Sequence, residues 1–233
     1  MKWLYFLSLH CCLFIFLPAL HSQEFQIWPT LTLEKSFSKR YEVGLSYQAR
    51  VSDLGSRYNS SLVSALFSCK LLPFLKVGID YRARFFATDA VPTHRFGLSL
   101  TGSYSFHKWK VSVRSAYQRR QTYFVSDAIS GTPAANFWRN RIAFSFDLPK
   151  KFSTQVGVEP FVQFSAYEIT LNRVRVSTGV EYAFQKRHIF NLEYLFQPEF
   201  KKMAFFRFNH ILRVGYCWKI PSWKSKKKNT KKG

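Results

Sequence analysis

From Val77 onward apolar and polar residues alternate one for one: Val77, Ile79, Tyr81, Ala83 and Phe85 on one parity, Gly78, Asp80, Arg82 and Arg84 on the other. A period of two puts such sets on opposite faces of a β-strand. The same split recurs in Tyr41, Val43, Leu45 and Tyr47 against Glu42, Gly44, Ser46, Gln48 and Arg50, and in Phe96, Leu98 and Leu100 against Gly97, Ser99 and Thr101. It continues through Val174, Val176, Val180 and Tyr182, and through Leu212, Val214, Tyr216 and Trp218. Strands are predicted near 25–37, 41–51, 61–71, 75–86, 95–106, 109–121, 137–148, 153–166, 171–184, 188–197 and 205–219, with no helix after residue 22. The fold class is all-β.

A soluble sandwich or lipocalin-like barrel also alternates, but it turns its apolar face inward onto a second apolar layer. Three features favour a membrane barrel instead. Strands of about 10 to 13 residues match a tilted membrane-spanning strand and exceed the usual soluble length of about 5 to 6. Aromatic residues such as Tyr41, Tyr104, Trp109, Trp138, Tyr182 and Trp218 gather near strand ends, where amphipathic rings lie at lipid headgroups. The polar parity is dense in arginine, which suits a hydrated or ion-paired lumen.

Short joins, at Ser36 to Arg40, Leu72 to Phe74, His107-Lys108, Pro149 to Phe152 and Gln185 to Arg187, alternate with longer ones. The longer ones run from Ser52 to Ser60, Ala87 to His94, Thr122 to Asn136, Tyr167 to Thr170 and Pro198 to Ala204. Asn59-Ser60-Ser61 matches a glycosylation sequon and reads as a turn. This is the bacterial pattern of short periplasmic turns and long outer loops, and single-chain bacterial barrels have even strand counts. The expectation is therefore a transmembrane antiparallel up-and-down barrel of ten to twelve strands. Ten follows if the first segment is a plug, twelve if a strand is hidden, and both chain ends are expected in the periplasm.

Residues 1–22 have the layout of a cleaved secretory signal peptide: Lys2, an apolar stretch from Leu4 to Leu17, then Pro18 to Ser22 before Gln23. An apolar core of about 14 residues is short for the roughly 20 that a helical span needs. Histidine directly before Cys11 argues against a lipoprotein signal. Cleavage leaves Cys69 and Cys217, too few for a disulfide framework and without metal-site spacing. The domain reading is 1–22 signal peptide, 23–220 outer-membrane barrel and 221–233 a basic tail. The net charge of +22 raises the question of nucleic acid. Much of that charge alternates within strands, however, and Lys224 to Lys232 reads as a solvated tail. No nucleic-acid partner is expected; outer-membrane lipid and the barrel-assembly machinery are.

Further residues carry a likeness. Trp28 is followed by Leu31-Thr32-Leu33-Glu34-Lys35, the pairs Tyr81-Arg82 and His94-Arg95 flank a loop, and Arg139-Asn140-Arg141 starts a strand. Glu159-Pro160-Phe161 and Asn172-Arg173-Val174-Arg175, leading to Gly179 and Tyr182, complete the set. In these the chain resembles domain-of-unknown-function family 2490 (DUF2490), outer-membrane barrel proteins mainly of Bacteroidota, over most of its mature length. The resemblance implies a porin-like outer-membrane barrel and brings no established activity. The basic tail after Trp218 departs from it.

By parity, Arg82, Arg84, Arg114, Arg139, Arg141, Arg173, Arg175, Arg207 and Arg213 point inward, with Asp80, Asp147, Glu159, Glu181 and Glu193 as partners. The preferred reading is an ion-pair network filling a narrow lumen, since arginine's fork satisfies carboxylates bidentately. The functional reading is small-solute passage with anion preference, because inward arginines outnumber inward acids. An outer-membrane lipid hydrolase would need serine beside histidine, and His94, His188 and His210 are scattered. A soluble periplasmic barrel holding an apolar ligand is the other alternative. No catalytic residue, metal or cofactor is expected, and the chain is read as a non-enzyme.

Overall fold

The computed structural model describes residues 23–221, apart from 89–90, 123–133, 165–167, 186 and 202–203. The expected signal peptide and lysine tail lie outside the described residues. Eleven strands follow in chain order: β1 (Gln23–Ser36), β2 (Tyr41–Ser52), β3 (Arg57–Leu72), β4 (Leu75–Phe86), β5 (Thr93–Phe106), β6 (Trp109–Gln121), β7 (Ala135–Asp147), β8 (Phe152–Phe164), β9 (Ile169–Phe184), β10 (His188–Lys201) and β11 (Ala204–Ile220). Each pairs antiparallel with the next, and β1 closes the barrel on β11 in parallel, from Gln23↔Phe208 to Lys35↔Ile220.

This closure corrects the expectation of an even count. All eleven segments marked from the alternation are strands, and the first is neither a plug nor a lead-in. An odd number closes because β1 and β11 run the same way. The start of β1 therefore lies at the end of the barrel that carries the longer connections, and β11 finishes at the end with the short turns, so the two ends are not on one side. Two further boundaries shift. Ser60, read as part of a turn, lies within β3, opposite Arg50 and Phe86. The expected long join from Pro198 to Ala204 is mostly ladder, with Glu199↔Arg207 and Lys201↔Ala204 paired across a bulge.

The strands are strongly staggered. Stepping across paired residues from Ser36 leads through Glu42, Ser68, Gly78, Ser99, Ala116, Arg139, Phe161, Arg173 and Glu199 to Arg207. Arg207 adjoins Phe208, the partner of Gln23, so one circuit climbs the whole length of β1. Such a stagger tilts the strands and opens an interior.

The alternation sorts the two faces. Leu45, Ile79, Leu98, Ile142, Val158 and Leu192 stand outward and are about half exposed. Phe152, Tyr182, Phe184, His188, Tyr216 and Phe190 form a chain of ring contacts around the turn end, with centroids 4.6–6.5 Å apart. The other parity faces a largely polar interior, with one buried apolar cluster, Trp28, Leu195 and Ile211, just inside the β1–β11 seam.

Candidate functional site: an arginine-lined lumen

The interior holds a cavity of about 1040 Å³ that follows β4 from Lys76 to Phe86. Among the described residues its wall carries eleven arginines, Arg50, Arg82, Arg84, Arg95, Arg114, Arg120, Arg139, Arg141, Arg173, Arg175 and Arg213, against four acids, Glu42, Asp80, Glu159 and Glu193. The charges are layered. Lys70, Lys76, Lys110 and Lys219 sit near the turn ends of their strands, Ser46, Ser99, Thr101 and Ser112 line a hydroxyl zone, and most arginines occupy the half nearer the longer connections.

Part of this charge is tightly paired. Glu159, inward on β8 and about 4 % exposed, accepts from Arg114 at 2.7 Å and from Arg139 at 2.8 Å to each oxygen, with Arg175 at 3.7 Å. Phe161, two residues along the same face, lies beneath Arg139, whose guanidinium carbon is 4.3 Å from the ring centroid. Gln118 accepts a further bond from Arg139, and Gln197 accepts two from Arg175. Glu193 on β10 bridges Arg213 at 3.1 Å and Arg141 at 3.7 Å. Nearer the mouths Arg173 meets Glu199, Lys76 meets Glu42, and Arg207 meets Glu24. Asp80 holds Arg95 at 3.1 Å. Gly97 makes room for this pair, because a Cβ there would run into the Asp80 carboxylate.

The parity-derived residues Arg82, Arg84, Arg114, Arg139, Arg141, Arg173, Arg175, Arg213, Glu159 and Glu193 all line the cavity. Glu181 and Arg207 do not. Glu181 is exposed near the turn end of β9, well past the arginines, and Arg207 is at the opposite mouth. Asp147 is likewise exposed, at the turn end of β7. The residues singled out from parity did not include Arg50, Arg95 and Arg120, nor Gln118, Gln197 and Glu199. Each of these arginines has the inward parity of its own strand, Arg50 with Ser46 and Gln48, Arg95 with Ser99 and Thr101, and Arg120 with Arg114.

A different arrangement holds the arginines that lack an acid. Arg82 Nε donates to Ser64 Oγ at 2.8 Å, Arg84 Nε to Ser60 Oγ at 3.0 Å, and Arg50 Nε to Gln48 Oε1 at 3.4 Å. Arg50 stacks on Trp28 at 4.1 Å and Arg84 on Phe86 at 4.5 Å. Arg120 lies over Phe137 at 5.2 Å. Among the described residues none of the four pairs with a carboxylate.

The three histidines named from the sequence are on the outer face, each bonded through Nδ1 to a tyrosine hydroxyl: His94 with Tyr81 at 2.8 Å, His188 with Tyr216 at 2.6 Å and His210 with Tyr194 at 2.6 Å. Cys69 and Cys217 are free thiols on strands β3 and β11. No group of three metal-ligating side chains occurs among the described residues.

The profile of a family described as "Protein of unknown function (DUF2490)" matches residues 25–204, from the third residue of β1 to the first of β11. No curated protein matches the chain.

Proposed function

The chain belongs to the DUF2490 family, and we propose that it is a bacterial outer-membrane barrel that passes small solutes with a preference for anions. The observation that carries this reading is a cation-dominated cavity enclosed by an apolar-coated wall. A barrel that met water outside and an apolar ligand inside would have the opposite polarity, with its leucines and valines inward. Here Ile79, Leu98 and Val158 are outward while arginine, serine and threonine are inward. Strands of 12 to 17 residues are long enough to cross the hydrocarbon at a tilt. The turn-end chain of aromatic rings suits a headgroup boundary. Outer-membrane lipid would then contact the wall, and the barrel-assembly machinery would insert it.

Inside, eleven arginines and four acids leave a positive excess that lowers the barrier for a negative solute and raises it for a cation. Glu159 and Glu193 offset part of the charge on the β8–β11 side, while Glu42 and Asp80, on β2 and β4, are each tied to one cation. The lipid-hydrolase reading receives no support from the outward histidines, since the group on each Nδ1 is a tyrosine rather than a serine.

Location is tested by outer-membrane fractionation together with heat-modifiable gel mobility; a protein recovered in the periplasmic extract without detergent would refute it. Passage is tested in planar bilayers under a salt gradient. The expected result is a conducting state whose reversal potential favours chloride, diminished when Arg173 and Arg175 are both replaced by glutamine. A folded barrel that never conducts would leave the second reading, a lumen closed by the network around Glu159 and a purely structural role.

A further inference from the structure

We propose that Arg50, Arg82 and Arg84 form a binding site for a phosphate group on the β2–β4 wall of the lumen. This deepens the anion-passage reading and rests on it only for the route by which the ligand arrives. The three side chains come from β2 and β4, which flank β3. Ser60 and Ser64 of β3 fix the Nε groups of Arg84 and Arg82, Leu62 lies between them, and Gln48 fixes Arg50 from its own strand. Tethering at Nε sets the plane of each guanidinium and leaves both of its Nη groups without a protein acceptor among the described residues. Stacking on Trp28 and on Phe86 restrains Arg50 and Arg84 further.

The strongest like-charge neighbours of Arg50 are Arg84, Arg82, Arg175 and Arg173. Of these, Arg175 is bridged by Glu159 and Arg173 by Glu199, whereas Arg50, Arg82 and Arg84 have no ion pair with a carboxylate among the described residues. Elsewhere in the same lumen the protein does place acids among arginines, with Glu159 serving three of them and Glu193 two. Asp80, one pleat from Arg82 on β4, is turned toward Arg95 on β5. Three oriented forks with an unbalanced charge are therefore what this wall presents to the cavity.

The geometry also selects the kind of anion. A single guanidinium fork already satisfies both oxygens of a carboxylate. Several forks approaching from different strands suit a group with acceptor oxygens on several sides, which is the shape of phosphate. Strands β2 and β4 are about 10 Å apart, two strand spacings, a gap that arginine side chains close from both sides. Free phosphate and a phosphomonoester share this chemistry, and the cavity has room for either.

The test is calorimetric titration of the folded full-length barrel in zwitterionic detergent, at fixed ionic strength, with inorganic phosphate, glycerol 3-phosphate and chloride. Saturable binding of one or both phosphates is expected, and the tighter of the two identifies the source. The Arg50→Gln/Arg84→Gln double variant should weaken binding at least tenfold, while Lys39→Gln/Lys108→Gln, an equal loss of charge on exposed turns, should change it less than twofold. If the glutamine variant does not fold, Arg50→Lys/Arg84→Lys keeps the charge, removes the forks and should still weaken binding at least tenfold. Phosphate behaving like chloride, or equal losses in both double variants, would overturn the site. Phosphate binding without anion-preferring conductance would refute passage and leave the site standing. Unaltered anion preference with no phosphate binding would refute the site and leave passage standing.

Discussion

Replacing Glu159 by glutamine should be the most damaging single-charge change in the lumen. The substitution keeps size and one acceptor oxygen and removes the negative charge on which Arg114, Arg139 and Arg175 converge. Arg139 is itself nearly buried, about 8 % exposed, and has Phe161 on one face, so it cannot turn out to water. Removing one partner of a buried ion pair costs about 3–5 kcal/mol, because the remaining charge stays buried and uncompensated. The retained carbonyl oxygen places the expectation near the lower figure, about 3 kcal/mol. Glu193→Gln, with one close and one longer bridge, should cost less. Glu42→Gln, whose pair with Lys76 is about a third exposed, should fall within about 1 kcal/mol of the parent. The assay is urea unfolding in lipid-like micelles followed by tryptophan emission, with heat-modifiable mobility to count folded barrels. Adding Arg139→Gln to Glu159→Gln should recover part of the loss, giving a coupling of at least about 1 kcal/mol. Additive losses, or a Glu159→Gln barrel no weaker than Glu42→Gln, would refute the account of this network.

Two other changes probe the wall. Val176→Arg, on the outward face of β9, should cost about 2–4 kcal/mol in a bilayer if that face meets acyl chains, while Thr101→Arg in the hydroxyl zone should cost much less; equal costs would mean that the faces are misassigned. Ser177 is not the tolerant comparison that its parity suggests, because it is about 4 % exposed and its hydroxyl lies against Gly157. Gly179→Ala should destabilise by about 1–3 kcal/mol, since its Cβ would meet the Leu192 carbonyl oxygen and the Glu193 Cα, which are backbone and cannot yield. Gly102→Ala, with nothing within 4 Å of the added carbon, should be near neutral by the same unfolding measurement.

The fold was legible because the two faces of every strand meet different surroundings, and a period of two records that difference directly. The strand count was held back by a regularity of other barrels rather than by anything in the residues: Gln23–Ser36 alternates as its neighbours do and pairs on both sides. The site was half legible. Parity says which side chains face inward but not how high they stand, and height is set by the stagger. Glu181 has the inward parity of Arg173 and Arg175, yet β9 carries it down to the turn end, away from them. Glu159 reaches Arg114 across two strands and 45 residues of sequence because the stagger brings them level. Nothing local in the chain announces that pair.

The uneven lumen follows from where the strands place their few acids. In the half nearer the longer connections, β8 and β10 use inward positions for Glu159, Glu193 and Glu199, and Trp28, Leu195 and Ile211 fill the space beside the seam. That side is closed by charge pairing and by packing. Strands β2, β3 and β4 use the corresponding positions for Arg50, for Ser60, Leu62 and Ser64, and for Arg82 and Arg84. The one acid nearby, Asp80, is committed to β5. Short side chains on β3 keep that wall open, and the arginines on either side have hydroxyl and amide acceptors at Nε but no counter-charge. An arginine placed only to fill the lumen would gain stability from a carboxylate across the strand, as Arg139 does. Its absence beside three adjacent arginines, in a chain that supplies acids a few strands away, makes the β2–β4 wall the part of the barrel built to meet something other than itself.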